Sequence, residues 1–202
     1  QAAISLAKAG TKTSAEVILI DRHNFHTFVP LLYQVATAQI EAAKIAYPIR
    51  TLFRNYNNVR FIQDEVTHVD FSSQQVETTR GRLEYDFLVF ATGSRTQFHG
   101  VTDADTYSWP LRTLPEAIAL RNQIMRCFEK FSHRQLHAHS QDHYQRQLLT
   151  FVIVGGGATG VEMAGALVEL IKGPLKKDYA SIEMSQVEIV LIQSASTLLP
   201  NL

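Results

Sequence analysis

The 202 residues are 46% hydrophobic and 19% charged, and 19 basic and 19 acidic side chains cancel at a pI of about 7.3. This ordinary globular composition offers no basic stripe for nucleic acid, no apolar stretch of membrane-spanning length and no signal-peptide pattern in the first residues. The one cysteine, Cys127, excludes an internal disulfide, a Cys-x-x-Cys redox pair and a thiolate metal cluster.

In chain order, the amphipathic run Gln1 to Gly10 predicts a helix over Ala2 to Ala9. The β-branched run Glu16-Val17-Ile18-Leu19-Ile20 predicts a strand that ends in Asp21. Helix and strand together read as the second half of a βαβ unit, in which Asp21 stands where an acidic residue takes a ribose hydroxyl pair. The alternative is an aspartate that only caps the turn after its strand. Residues 22 to 60 read as loop and helix, with a helix from Pro48 to Tyr56. Strands are predicted over Val59 to Ile62, Glu65 to Asp70, Gln75 to Thr79 and Leu83 to Tyr85, the last two around Arg80-Gly81. The continuous apolar run Asp86 to Gly93 predicts a buried central parallel strand ending in a small-residue turn.

Pro115 to Arg134 has helical periodicity, with Ile118, Ile124, Met125 and Phe128 as inward positions and Cys127 a small buried side chain. Ser132 to Gln147 is polar. Its histidines His133, His137, His139 and His143 resemble a metal site only in spacing, so a solvated linker and no metal are expected.

The most informative stretch follows. Phe151-Val152-Ile153-Val154 runs into Gly155-Gly156-Gly157-Ala158-Thr159-Gly160 and then a helix-forming sequence from Val161 to Ile171. Gly155 permits a tight turn, Gly157 lets the backbone approach a pyrophosphate and Gly160 lets helix and strand pack closely. The helix N–H groups would then face the phosphates. A turn that merely packs a helix on a sheet is the alternative. Glu162 falls in the first predicted helical turn, where a carboxylate offsets the helix dipole. The next strand, Val187 to Ile192, leads to Gln193, where an NAD site usually carries Asp or Glu. A neutral amide does not repel a 2′-phosphate, so discrimination against NADPH should be weak, unless the replacement leaves preference unchanged. Both ends of the chain read as cut, which suggests an internal piece of a longer protein.

Asp21-Arg22-His23-Asn24-Phe25-His26-Thr27-Phe28, Pro30-Leu31-Leu32-Tyr33-Gln34-Val35-Ala36-Thr37 and Tyr85 to Ser94 strongly resemble segments of the type II (alternative) NADH:quinone dehydrogenases. Leu114 to Asn122 and Leu149 to Leu170 resemble the segments that lead into and form that family's NADH domain. The resemblance implies an α/β fold of two Rossmann-like domains with parallel sheets, the NAD domain inserted in the FAD domain. Here these would be residues 1–107 for FAD and 108–202 for NAD(P)H. It also implies that hydride passes from NADH to FAD and two electrons then pass to a quinone, without proton pumping.

In this resemblance Asp21 takes the adenosine ribose, Arg22 lies near adenine and Val66 meets adenine through its backbone. Ala91, Thr92 and Gly93 approach the FAD pyrophosphate, while Pro30, Leu31, Leu32 and Gln34 lie by the flavin ring or its ribityl chain. Gly155, Gly156, Gly157, Ala158, Thr159 and Gly160 cradle the NADH diphosphate, and Glu162 faces the nicotinamide–flavin contact. Peripheral attachment to a membrane, on the cytoplasmic or the matrix or stromal side, is implied through a C-terminal region outside this chain. A homodimer is left open. Disulfide reductases of the same superfamily need a cysteine pair within residues 22 to 45, where there is none. NADH oxidases, ferredoxin reductases and flavoproteins of the apoptosis-inducing type are the remaining alternatives.

Overall fold

The computed structural model describes residues 1–10, 15–137 and 143–199. In chain order the elements are α1 (Ala2–Gly10), β1 (Val17–Asp21), β2 (Phe25–Thr27), α2 (Leu32–Ala36), β3 (Ala46–Pro48), α3 (Ile49–Leu52), β4 (Val59–Gln63), β5 (Val66–Asp70), β6 (Gln75–Thr78) and β7 (Gly81–Glu84). There follow α4 (Ala104–Tyr107), α5 (Leu114–His137), α6 (His143–Leu148), β8 (Thr150–Val154), α7 (Ala158–Leu170), α8 (Lys176–Asp178) and β9 (Glu188–Ile192). The chain forms two compact units, Gln1–Thr27 with Ala46–Arg95, and Phe28–Ile45 with Thr96–Leu202.

In the first unit β1 and β4 pair in parallel, from Val17 opposite Val59 to Asp21 opposite Gln63. Helix α1 packs on β1. Asn58 Nδ2 donates to the Ala7 carbonyl at 3.0 Å, satisfying one of the acceptors a helix end leaves open. Gly10 leaves room for that amide, since a Cβ there would stand 2.6 Å from Asn58 Nδ2. Strands β2 and β3 form an antiparallel pair that the sequence did not announce. The helix expected over Pro48 to Tyr56 is confined to α3. Phe53 leaves helical geometry, and the following Asn55, Asn57 and Asn58 carry side chains that compete with the helix for backbone hydrogen bonds.

Strands β5, β6 and β7 make an antiparallel meander. The Asp70 carboxylate closes its first turn by accepting from the Ser72 N–H at 2.8 Å, the Ser72 hydroxyl at 2.6 Å and the Ser73 N–H at 3.2 Å. The Ser72 and Ser73 hydrogen bonds hold that carboxyl well below the usual carboxylate range. Buried Asp64, just after β4, accepts from the Thr79 hydroxyl and the Glu65 N–H, and the hydroxyl in particular keeps its carboxyl low.

Asp86 to Gly93 is not the buried strand its composition suggests. It is irregular, with Phe87 93% exposed, and Phe90 meets the Phe71 ring across 6.0 Å between centroids. A continuous apolar run signals two faces to cover. Among the described residues no strand pairs with it, so Phe87, Val89 and Phe90 stay exposed and Leu88 is only half-buried.

In the second unit, residues 28–45 leave the β2–β3 stem and return to it, closed at the neck by the Phe28 N–H donating to the Ile45 carbonyl at 2.8 Å. Within this excursion α2 buries Leu32, Val35 and Ala36, and it packs against α5 and α7. Helix α5 turns Ala117, Ile124, Phe128 and Phe131 inward, while Ile118 and Met125 are only half-buried and so is Cys127. The stretch read as a polar linker is helical on both sides of residues 138–142, because its straight-chain Gln, Arg and Leu side chains suit a solvated helix. His139 lies outside the described residues.

Strands β8 and β9 pair in parallel, Thr150 opposite Glu188 through Val154 opposite Ile192. Phe128 is fully buried, stacks on Phe151 with centroids 6.1 Å apart and meets Tyr179 at 5.4 Å. The Tyr179 hydroxyl donates to Glu129 at 2.7 Å, and burial together with this carboxylate pushes its ionisation up to about 12. After α7 the helix widens into a π turn, Ile171–Leu175, which accommodates Pro174 and its missing N–H. This wide turn and α8 occupy much of the long connection to β9.

Candidate functional site

The glycine turn between β8 and α7 is the best-defined site. Gly155 adopts φ +113°, a conformation that disfavours any side chain, and its N–H continues the ladder to the Ile192 carbonyl at 2.8 Å. Gly160 sits directly above it. A Cβ at Gly160 would fall 1.8 Å from the Gly155 carbonyl oxygen, so helix and turn approach as closely as they do only without a side chain. Gly157 behaves differently. It caps α7 in an extended conformation, and a Cβ there would meet nothing within 4 Å. Gly157, Ala158 and Thr159 are exposed, at the end of a helix whose first N–H groups lack intrahelical acceptors. The turn and packing roles read from the spacing are therefore seen, and the space in front of Gly157 is open, beside the positive end of the α7 dipole. This fits a dinucleotide pyrophosphate.

Gly156 is gripped by residues beyond β9. Its N–H donates to Gln193 Oε1 at 3.0 Å, and its carbonyl accepts the Leu199 N–H at 2.8 Å. A Cβ on Gly156 would stand 2.7 Å from Leu198 Cδ2 and 3.0 Å from Gln193 Cβ. An N–H can be accepted only by the oxygen of the amide, so the Gln193 NH₂ group is turned away from the glycine turn. The contacts of Leu198 and Leu199 were not anticipated. The apolar pair just beyond a strand end was the available signal. Glu162 is exposed just past the first turn of α7, at the edge of the face that buries Met163, Ala166 and Leu167.

In the first unit, Asp21 ends β1 and its Oδ1 accepts the His23 N–H at 2.8 Å, with His23 Nδ1 at 3.6 Å. Here the carboxylate caps its own turn. Arg22 lies 3.7 Å from Glu65, the residue before Val66, and both charges are exposed. Val66 opens β5 and is 43% exposed. Ala91, Thr92 and Gly93 are exposed in irregular chain, with Gly93 at φ +72° and open space where its Cβ would be. These features are compatible with the ribose and pyrophosphate contacts of a dinucleotide, in a less closed form than at the second turn.

The remaining candidates lie in the second unit. Pro30 is exposed, Leu31 and Gln34 are half-buried, and Leu32 is 2% exposed within the α2 packing. Leu32 can therefore offer a ligand little but its backbone.

The sequence matches the pyridine nucleotide-disulphide oxidoreductase family over residues 1–202. It is 33% identical over 201 residues to the type II NADH:quinone oxidoreductase Ndh of Mycobacterium tuberculosis, covering 98% of this chain and 42% of that protein. It is 30% identical over 210 residues to the mitochondrial external alternative NAD(P)H-ubiquinone oxidoreductase B3 of Arabidopsis thaliana, covering 98% of this chain and 35% of that protein. The structure resembles NDH2 from Plasmodium falciparum in complex with NADH, with a TM-score of 0.81 and 25% identity over 92% of this chain and 38% of that one. The chain thus spans about two-fifths of the length of these relatives.

Proposed function

Because the chain belongs to the pyridine nucleotide-disulphide oxidoreductase family, we propose that it supplies the nucleotide-binding parts of a type II NADH:quinone oxidoreductase. The overall reaction is NADH + H⁺ + quinone → NAD⁺ + quinol. FAD, when bound, supplies the two-electron redox chemistry and the protein supplies placement and electrostatics. Residues 1–107 serve the FAD side and residues 108–202 the NAD(P)H side.

The observation that carries this reading is the glycine turn between β8 and α7. Gly160 fits against Gly155 with no room for a side chain, while Gly157 is left open. That combination brings bare backbone N–H groups to a pyrophosphate and leaves the α7 N-terminus to stabilise its charge. Glu162, one turn further, is the charged group assigned to the nicotinamide end. Asp21 and Arg22 serve the FAD ribose and adenine, Val66 adenine, and Ala91 to Gly93 the FAD pyrophosphate. Pro30, Leu31, Leu32 and Gln34 serve the flavin. Gln193, an amide already engaged by Gly156, places no negative charge where the 2′-phosphate of NADPH would lie, so NADPH is accepted alongside NADH.

Among the described residues no helix is long and apolar enough to cross a membrane. Attachment to a membrane surface is assigned to sequence beyond residue 202, and the quinone enters from that surface. Steady-state NADH:quinone turnover in the full-length protein tests the reading. Turnover is expected, whereas nucleotide binding without it would favour a redox-sensing flavoprotein.

A further inference from the structure

The excursion 28–45 packs with the helix that carries the glycine turn, and a specific chain of bonds joins the two. The Gln34 carbonyl accepts the N–H groups of Gln39 at 2.8 Å and Ile40 at 3.3 Å. Ala38, at φ +56°, turns the backbone so that this closure is made. The Gln39 side chain then donates through Nε2 to Glu169 Oε2 at 2.8 Å, a charge-assisted bond to the last turn of α7. Beneath it Leu32, Val35, Ala36 and Thr37 are all 2% exposed or less, so α2 sits firmly within its unit. Thr37 is a polar residue in that setting, and its hydroxyl is satisfied by the Tyr33 carbonyl at 2.9 Å. Glu169 stands about 16 Å along α7 from its N-terminus, by the rise of a helix.

We propose that residues 28–45 ride on α7, and that Gln39 and Glu169 are positioning residues linking occupancy of the glycine turn to the placement of residues 30–34. The proposal rests on the reading that the turn holds a dinucleotide and that residues 30–34 face the flavin. Neither Gln39 nor Glu169 touches a reacting atom. Their role is to hold the two ligand-facing segments at a fixed spacing, where small misplacements cost rate.

The test is hydrogen–deuterium exchange on the full-length, FAD-loaded protein with NAD⁺ as the probe. In the wild type, NAD⁺ is expected to slow exchange at residues 155–165 and also at 32–40. Gln39→Glu sets two carboxylates against each other. It should keep the protection at 155–165, lose it at 32–40 and slow single-turnover flavin reduction about 3- to 10-fold at unchanged NADH affinity. Glu169→Gln keeps an acceptor for Gln39 and should behave as wild type. Protection confined to 155–165 in the wild type would overturn the proposal, and so would an unchanged pattern in Gln39→Glu. Absence of protection at 155–165 would instead remove the nucleotide site, and this inference with it.

Discussion

The two units each end a helix-preceded strand with a polar side chain, and these two side chains behave differently. Asp21, after β1, folds its carboxylate back onto the His23 N–H, two residues along its own chain. Gln193, after β9, reaches across 37 positions of sequence to the Gly156 N–H. The local capping bond leaves Asp21 at an exposed corner, where a ribose hydroxyl, on the function proposed, would compete with a single N–H. The long-range bond fixes Gln193 as part of the glycine turn and decides which end of its amide a ligand meets. Sequence position alone equates the two residues, and hydrogen-bond partners separate them.

Within the second unit the same contrast holds among the glycines, and substitution there should give the largest effects. Gly160→Val drives a side chain into the Gly155 backbone, which cannot move aside cheaply. A loss of about 3 kcal/mol of stability is expected by overpacking, read as a lower denaturant midpoint, and NADH response should go with it. Gly157→Val meets no protein atom, so stability should fall by only about 1 kcal/mol, the cost of a poorer N-cap. Its side chain would occupy the pyrophosphate space, and NADH reduction of the flavin should fall by at least about 100-fold with FAD still bound. Normal flavin bleaching in Gly157→Val would remove the assignment of this turn to a dinucleotide.

A smaller change bears on the strand ends themselves. Gln193→Glu can still accept the Gly156 N–H but presents an anion to the ribose. The ratio of kcat/KM for NADPH to that for NADH should drop by about 10- to 100-fold, since one added repulsion at a partly exposed site amounts to about 1–3 kcal/mol. Equal ratios in wild type and variant would show that the amide does not set preference. The smallest effect on folding is expected from Glu162→Gln. Glu162 lies just past the first turn of α7, so its exposed carboxylate should contribute no more than about 0.3 kcal/mol through the helix dipole, whereas flavin reduction measured by stopped flow should slow visibly. Unchanged reduction would leave Glu162 with the helix dipole alone.

The parts of this molecule that were legible in its sequence are those where the backbone itself makes demands. Gly155 and Gly160 stand where a positive φ and a closed approach exclude side chains, and such demands show as glycine spacing. Strands β4, β8 and β9 and helices α1 and α5 follow from hydrophobic periodicity. What could not be read depended on partners distant in the chain. The apolar run Asp86 to Gly93 signals faces to be covered without naming what covers them. The β2–β3 stem is too short for periodicity, and the excursion between its strands removes any turn signature. Gln39 meets Glu169 across 130 positions, and nothing local to either residue foretells it. Leu198 above Gly156 is signalled only by an apolar pair just beyond a strand end, which does not name its partner.

The central claim is that the strand end at Asp21 serves FAD and that the glycine turn at Gly155 to Gly160 serves NADH. The most direct test is the visible absorption spectrum of the full-length purified protein, recorded anaerobically before and after NADH. The account predicts flavin bands that bleach on addition of NADH and return when quinone is added. A protein without flavin bands, or one whose flavin NADH leaves oxidised, would contradict it.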